Sequence, residues 1–148
     1  MNGEALPCRR KGPLGEPVSC SYGYLPDTAT AVIEMAGAAG LGLVPEDRRN
    51  PLYTTTYGVG QVMAKAIEGG IRHFIIGLGG SATSDCGVGM LQALGYVFRD
   101  AEGHVVGTGG LAVGDIASVG DSQVLPALKE CTFDVACDVT NPLYGTLG

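Results

Sequence analysis

The stretch Gly77-Leu78-Gly79-Gly80-Ser81-Ala82-Thr83-Ser84-Asp85 constrains this chain more than any other. It follows a short apolar run, His73-Phe74-Ile75-Ile76, whose lack of alternation reads as a strand buried on both faces. It precedes Val88, Leu91 and Leu94, spaced for one face of a helix that Gly95 ends. Strand, glycine-rich loop and helix in that order argue for an α/β layer with a mainly parallel sheet. In open sheets of this kind ligands bind at the carboxyl ends of strands. Glycines there let the backbone approach a ligand, and free N–H groups at a helix start favour phosphate or carboxylate. Ser81, Thr83 and Ser84 add hydroxyls, and Asp85 adds a carboxylate able to hold Mg2+ or accept a proton. The same residues also suit a tight turn with an N-capping side chain.

The flanking sequence supports the same class. Val18, Cys20, Tyr22 and Tyr24 alternate with small residues, which predicts a strand. Pro26-Asp27 predicts a turn, and Thr28 to Glu34 the returning strand of a hairpin. Met35 to Leu41 is small and apolar, suited to one or two helical turns. Val59, Val62, Met63, Ala66 and Ile67 form one face of a helix after Thr54-Thr55-Thr56, and Gly69-Gly70 closes it. Tyr96 to Arg99 and His104 to Val106 are expected to pair around Asp100-Ala101-Glu102-Gly103. Leu111 to Glu130 reads as irregular with short helical pieces, and Thr132 to Cys137 as another buried strand, ending at Asp138. The hairpins suggest a second, mixed region beside the parallel one.

Charge narrows the function. Nine Lys and Arg stand against 15 Asp and Glu, a net charge of −6, so the basic face that nucleic acid requires is not expected. An acidic surface is also repelled by anionic membranes, and no apolar run approaches the roughly 20 residues of a spanning helix. Met1 to Cys8 lacks the pattern of a signal peptide, so a cytoplasmic location is expected. The five cysteines form no C-x-x-C pair and read as reduced thiols rather than a zinc site.

Three further segments carry candidate chemistry. Asp138 ends a strand in Ala136-Cys137-Asp138-Val139-Thr140-Asn141-Pro142, placed for a metal or a substrate hydroxyl, with Thr140 and Asn141 offering hydrogen bonds. Turn formation alone explains these residues equally well. Thr55 and Thr56 precede a helix and could meet an anion or act as caps. Glu34 ends an apolar strand, at a site or at an edge. Gly77, Gly79 and Ala82 also fit the G-x-G-x-x-[GA] spacing of a dinucleotide-binding α/β module, with Asp100 as the ribose acid. No G-x-x-x-x-G-K-[ST] occurs, and Thr83 stands where a nucleophile elbow needs glycine.

Taken in order, these motifs resemble the bacterial type I glycerate kinase family. The segments are Gly12-Pro13-Leu14-Gly15, Ile33-Glu34-Met35-Ala36, Asp47 to Thr56, Ile76 to Gly89 and Ala136 to Leu143. Family members typically carry Asn at the position of Ser84, Gly at Cys86 and Ala at Val88. The resemblance implies ATP-dependent phosphorylation of D-glycerate, to 2-phosphoglycerate, with Mg2+. It assigns phosphate or glycerate carboxylate to Gly79, Gly80, Ser81 and Thr83, and metal or hydroxyl to Asp85 and Asp138. It also implies a flavodoxin-like parallel-sheet portion, here residues 58–148, plus part of a second mixed α/β domain, residues 16–57, after a polar lead-in, 1–15. The family's A-P-D-S-F-K-G and F-G-P-Q-K-G-A loops do not occur here, so the chain is expected to be a middle portion, inactive alone. It would then self-associate, or act as a non-catalytic subunit completed by a second chain.

Overall fold

The computed structural model describes residues 3–137 together with Pro142, Gly145 and Thr146. Its strands are β1 (Glu4–Lys11), β2 (Pro17–Leu25), β3 (Thr30–Glu34), β4 (His73–Gly77), β5 (Val97–Arg99), β6 (Ser118–Gly120) and β7 (Thr132–Ala136). Among the described residues three α-helices accompany them: α1 (Met35–Ala39), α2 (Tyr57–Glu68) and α3 (Val88–Ala93). Five strands form one sheet in the order β1-β2-β3-β4-β7. The β1, β2 and β3 strands pair antiparallel, whereas β3, β4 and β7 run parallel. The architecture is therefore α/β with a mixed sheet.

The core lies where α1 and α2 cover the sheet. Alternation along β3 turns Ala31 and Ile33 inward, and β4 adds Phe74 and Ile76. The apolar stripe of α2, from Val59 to Ile67, closes over them. Gly69 ends α2 by donating its N–H to the Lys65 carbonyl. A smaller cluster of Val88, Phe98 and Val106 packs under α3.

Three local expectations are corrected. The polar, turn-rich segment before Gly15 contains the eight-residue strand β1. Its inward positions, Leu6, Cys8 and Arg10, are too mixed to give a hydrophobic period, so pairing with β2 rather than local pattern makes the strand. Pro7 is tolerated because β1 is an edge. The turn at Asp100 forms, with the Asp100 N–H donating to the His104 carbonyl. However, β5 takes β6 as its ladder partner, and the returning segment adds only a bridge from Val105 to Arg99. Finally, β7 is exposed along its whole length rather than buried. Phe133 stacks on Phe74 and Val135 pairs with Ile76, but among the described residues no helix covers them and no strand pairs beyond.

Candidate functional site

Asp85 joins two segments that are 30 residues apart. It is 1% exposed. Its Oδ2 accepts the Thr56 N–H at 2.8 Å, the Thr56 hydroxyl at 2.9 Å and the Gly89 N–H at 3.2 Å. The Thr55 hydroxyl donates to the same oxygen at 3.3 Å, and the Gly87 N–H reaches Oδ1 at 3.2 Å. A buried carboxylate is tolerated only when surrounded by donors in this way. Gly89 has to be glycine here, because a Cβ would overlap the Thr55 hydroxyl and come within 2.8 Å of the Asp85 carboxylate. Neighbouring bonds extend the clamp. The Thr54 hydroxyl donates to the Ala82 carbonyl at 2.7 Å, and the Thr55 N–H to the Pro13 carbonyl at 2.9 Å.

This clamp corrects one expectation about anion binding. The start of α3 offers no free donors to a ligand. Gly87 and Gly89 bond the Asp85 carboxylate, Val88 bonds the Asp85 carbonyl, and the Met90 N–H donates to the Thr56 hydroxyl. The open donors lie earlier in the loop. Among the described residues, no hydrogen bond occupies the N–H groups of Gly79, Gly80 and Ser81. Gly80 has φ +71°, and a left-handed residue in such a run turns successive N–H groups toward one point. The loop is pinned on either side: the Leu41 N–H donates to the Gly80 carbonyl and the Ala82 N–H to the Ala39 carbonyl. The Ser81 and Thr83 hydroxyls lie 2.7 Å apart, and the Thr83 N–H donates to Ser81 Oγ.

Ser81 lines a cavity of about 200 Å³ together with Leu41, Val44, Arg49, Asn50, Pro51, Thr54 and Ala82. Arg49 is held by Nε donating to the Val44 carbonyl at 3.3 Å and by a long contact of 3.9 Å to Glu46. Sequence reasoning missed this cation. Its only signal was its place inside the Asp47 to Thr56 segment.

The structure thus gathers Gly79, Gly80, Ser81, Thr83, Thr55, Thr56 and Asp85 at one end of β4. Glu34 stands exposed at the end of β3, in register with Gly77, where the loop departs. Asp138, Thr140 and Asn141 lie outside the described residues. Asp100 follows β5, which lies outside the sheet of β4, and is engaged in its turn by the His104 N–H at 2.8 Å, so the dinucleotide spacing puts no acid beside β4 in its sheet. Among the described residues no three acidic, His or Cys side chains group to fit a metal ion, and the Asp85 oxygens are taken by protein donors. No described helix is long and apolar enough to cross a membrane.

A family model described as "Glycerate kinase family" matches residues 1–148. The chain is 50% identical over 137 residues to a glycerate 2-kinase of Escherichia coli K12, covering 93% of this chain and 36% of that protein. It is 49% identical to a glycerate kinase of Bacillus subtilis 168, covering 99% and 38%. A crystal structure from Salmonella typhimurium LT2, carrying the name glycerate kinase 2, superposes with a TM-score of 0.92 at 46% identity. That match covers 99% of this chain and 39% of the other. The chain spans less than two fifths of the length of the relatives named here.

Proposed function

The chain belongs to the glycerate kinase family, and from that premise we propose that it carries the glycerate-binding part of an enzyme that moves the γ-phosphoryl of ATP to D-glycerate, giving 2-phosphoglycerate. The observation that carries this reading is the open run of N–H groups at Gly79, Gly80 and Ser81, which ends at a small cavity that Ser81 and Arg49 both line. A cavity of about 200 Å³ is below the ~300 Å³ of sites for larger organic ligands, which suits a three-carbon acid better than a nucleotide. In this reading the loop N–H groups and Arg49 hold the glycerate carboxylate, and the Ser81 and Thr83 hydroxyls meet its oxygens. Asp85, Thr55 and Thr56 are positioning residues that fix the loop against α2.

Phosphoryl transfer depends on positioning and on neutralising charge at the migrating group. The described residues do not provide a Mg2+ site, so the Mg2+ assignment stays with Asp138, supported by Thr140 and Asn141. Glu34 is a weaker candidate for a substrate hydroxyl. A cytoplasmic location is part of the same proposal. The exposed β7 is proposed to be covered by a complementary segment or, in the isolated chain, by a second copy.

The test is a coupled assay of ADP release with MgATP and D-glycerate. The 148 residues alone are expected to show no turnover. A hybrid in which they replace the matching segment of a full-length relative is expected to turn over at about 1–1,000 per second. A hybrid that folds as stably as its parent yet phosphorylates no glycerate would remove the reading.

A further inference from the structure

The antiparallel pairing of β1 with β2 sets Cys8 directly opposite Cys20. Their sulfur atoms lie 3.0 Å apart, inside the separation of two sulfurs in simple contact, and both side chains are half-buried against the core. A disulfide needs sulfurs about 2.05 Å apart, so closure asks for a movement of about 1 Å. The other cysteines sit elsewhere: Cys86 in the loop before α3, Cys131 just before β7 and Cys137 just beyond it.

We propose that Cys8 and Cys20 are a dithiol modification site that a small-molecule disulfide such as oxidised glutathione converts to a disulfide joining β1 to β2. Cys8, as thiolate, attacks one sulfur of the oxidant and releases one glutathione thiolate. Cys20 then gives up its proton to solvent and attacks the Cys8 sulfur, releasing the second glutathione. Two protein thiols are oxidised and one glutathione disulfide is reduced to two thiols. Burial, then the hydrogen bond with Cys8 and its charge, push the Cys20 thiol up to about 12, so Cys20 supplies little thiolate for the first attack. The consequence is mechanical. The turn at Gly12 to Glu16 presents the Pro13 carbonyl that holds the Thr55 N–H, so a locked hairpin stiffens one support of the Asp85 clamp.

The experiment is oxidation of the full chain with oxidised glutathione, trapping of remaining thiols with N-ethylmaleimide, and tryptic mapping without reductant. The peptide of residues 1–9 should be found joined to that of residues 12–48, and dithiothreitol should part them. The linkage should form at least about tenfold faster in the folded chain than in urea, because opposed thiols have a high effective concentration. Oxidation should raise Tm by about 5–10 °C, as expected for a loop of this length. Cys8→Ser and Cys20→Ser should each abolish that rise. Equal rates in the folded chain and in urea, or alkylation of both residues while other cysteines pair, would overturn the proposal.

Discussion

At the scale of single residues, the loop after β4 is strained at one point. Cys86 has φ +52°, in the left-handed region where an L side chain crowds its own carbonyl. Cys86→Gly is expected to stabilise the fold by about 0.5–1 kcal/mol, since strain relief outweighs the added freedom of the unfolded chain. Urea unfolding of both proteins under reducing conditions measures it, and a loss of stability would show that the loop has relaxed around cysteine. Asp85→Asn is expected to act the other way. An amide in place of the carboxylate turns its NH2 toward Thr55, Thr56 or the α3 N–H groups and leaves buried donors unpaired. We expect a loss of about 2–3 kcal/mol, read by the same unfolding. An unchanged midpoint would contradict the clamp. The glycines, the hydroxyls and Asp85 were all legible in the sequence as a candidate site. The partners of Asp85 were not, because its donors come from a segment 30 residues earlier and only the folded chain brings them together. Arg49 was overlooked for the same reason: nothing local ties it to Ser81.

At the scale of elements, helical and strand periods were readable wherever one face is buried. The stripe on α2 and the alternation along β2 correspond to the observed spans, and the expected return strand from Thr28 forms from Thr30, as β3. The β1 strand escaped notice because pairing, not burial, holds it. The apolar content of β7 gave a burial tendency but could not say what does the burying. In the structure Phe133 and Val135 line an open apolar cleft of about 390 Å³ with Met63, Ile76 and Leu94. An unpaired apolar edge is a template for another chain. The isolated chain is therefore expected to self-associate, and Val135→Lys to suppress it by placing a charge on that edge. Light scattering across a concentration series decides this: a wild-type monomer throughout, or a variant that associates equally, would clear β7.

At the scale of the whole molecule, the sheet brings two kinds of order together. Its antiparallel half carries the hairpin whose Pro13 carbonyl steadies Thr55, and its parallel half delivers the loop at the carboxyl end of β4. The clamp at Asp85 ties these halves, so the open N–H groups of Gly79, Gly80 and Ser81 are held rather than free to rearrange. Preorganised donors bind an anion without the cost of ordering them first. The central claim is that this loop and Arg49 hold the carboxylate of glycerate. Steady-state kinetics of the hybrid kinase with Arg49→Ala, varying D-glycerate at saturating ATP and then the reverse, test it most directly. Loss of a charge-assisted contact made equally in ground and transition states should raise the KM for D-glycerate by about tenfold or more with little change in kcat, leaving the KM for ATP unchanged. An unchanged KM for glycerate, or a rise confined to ATP, would contradict the account.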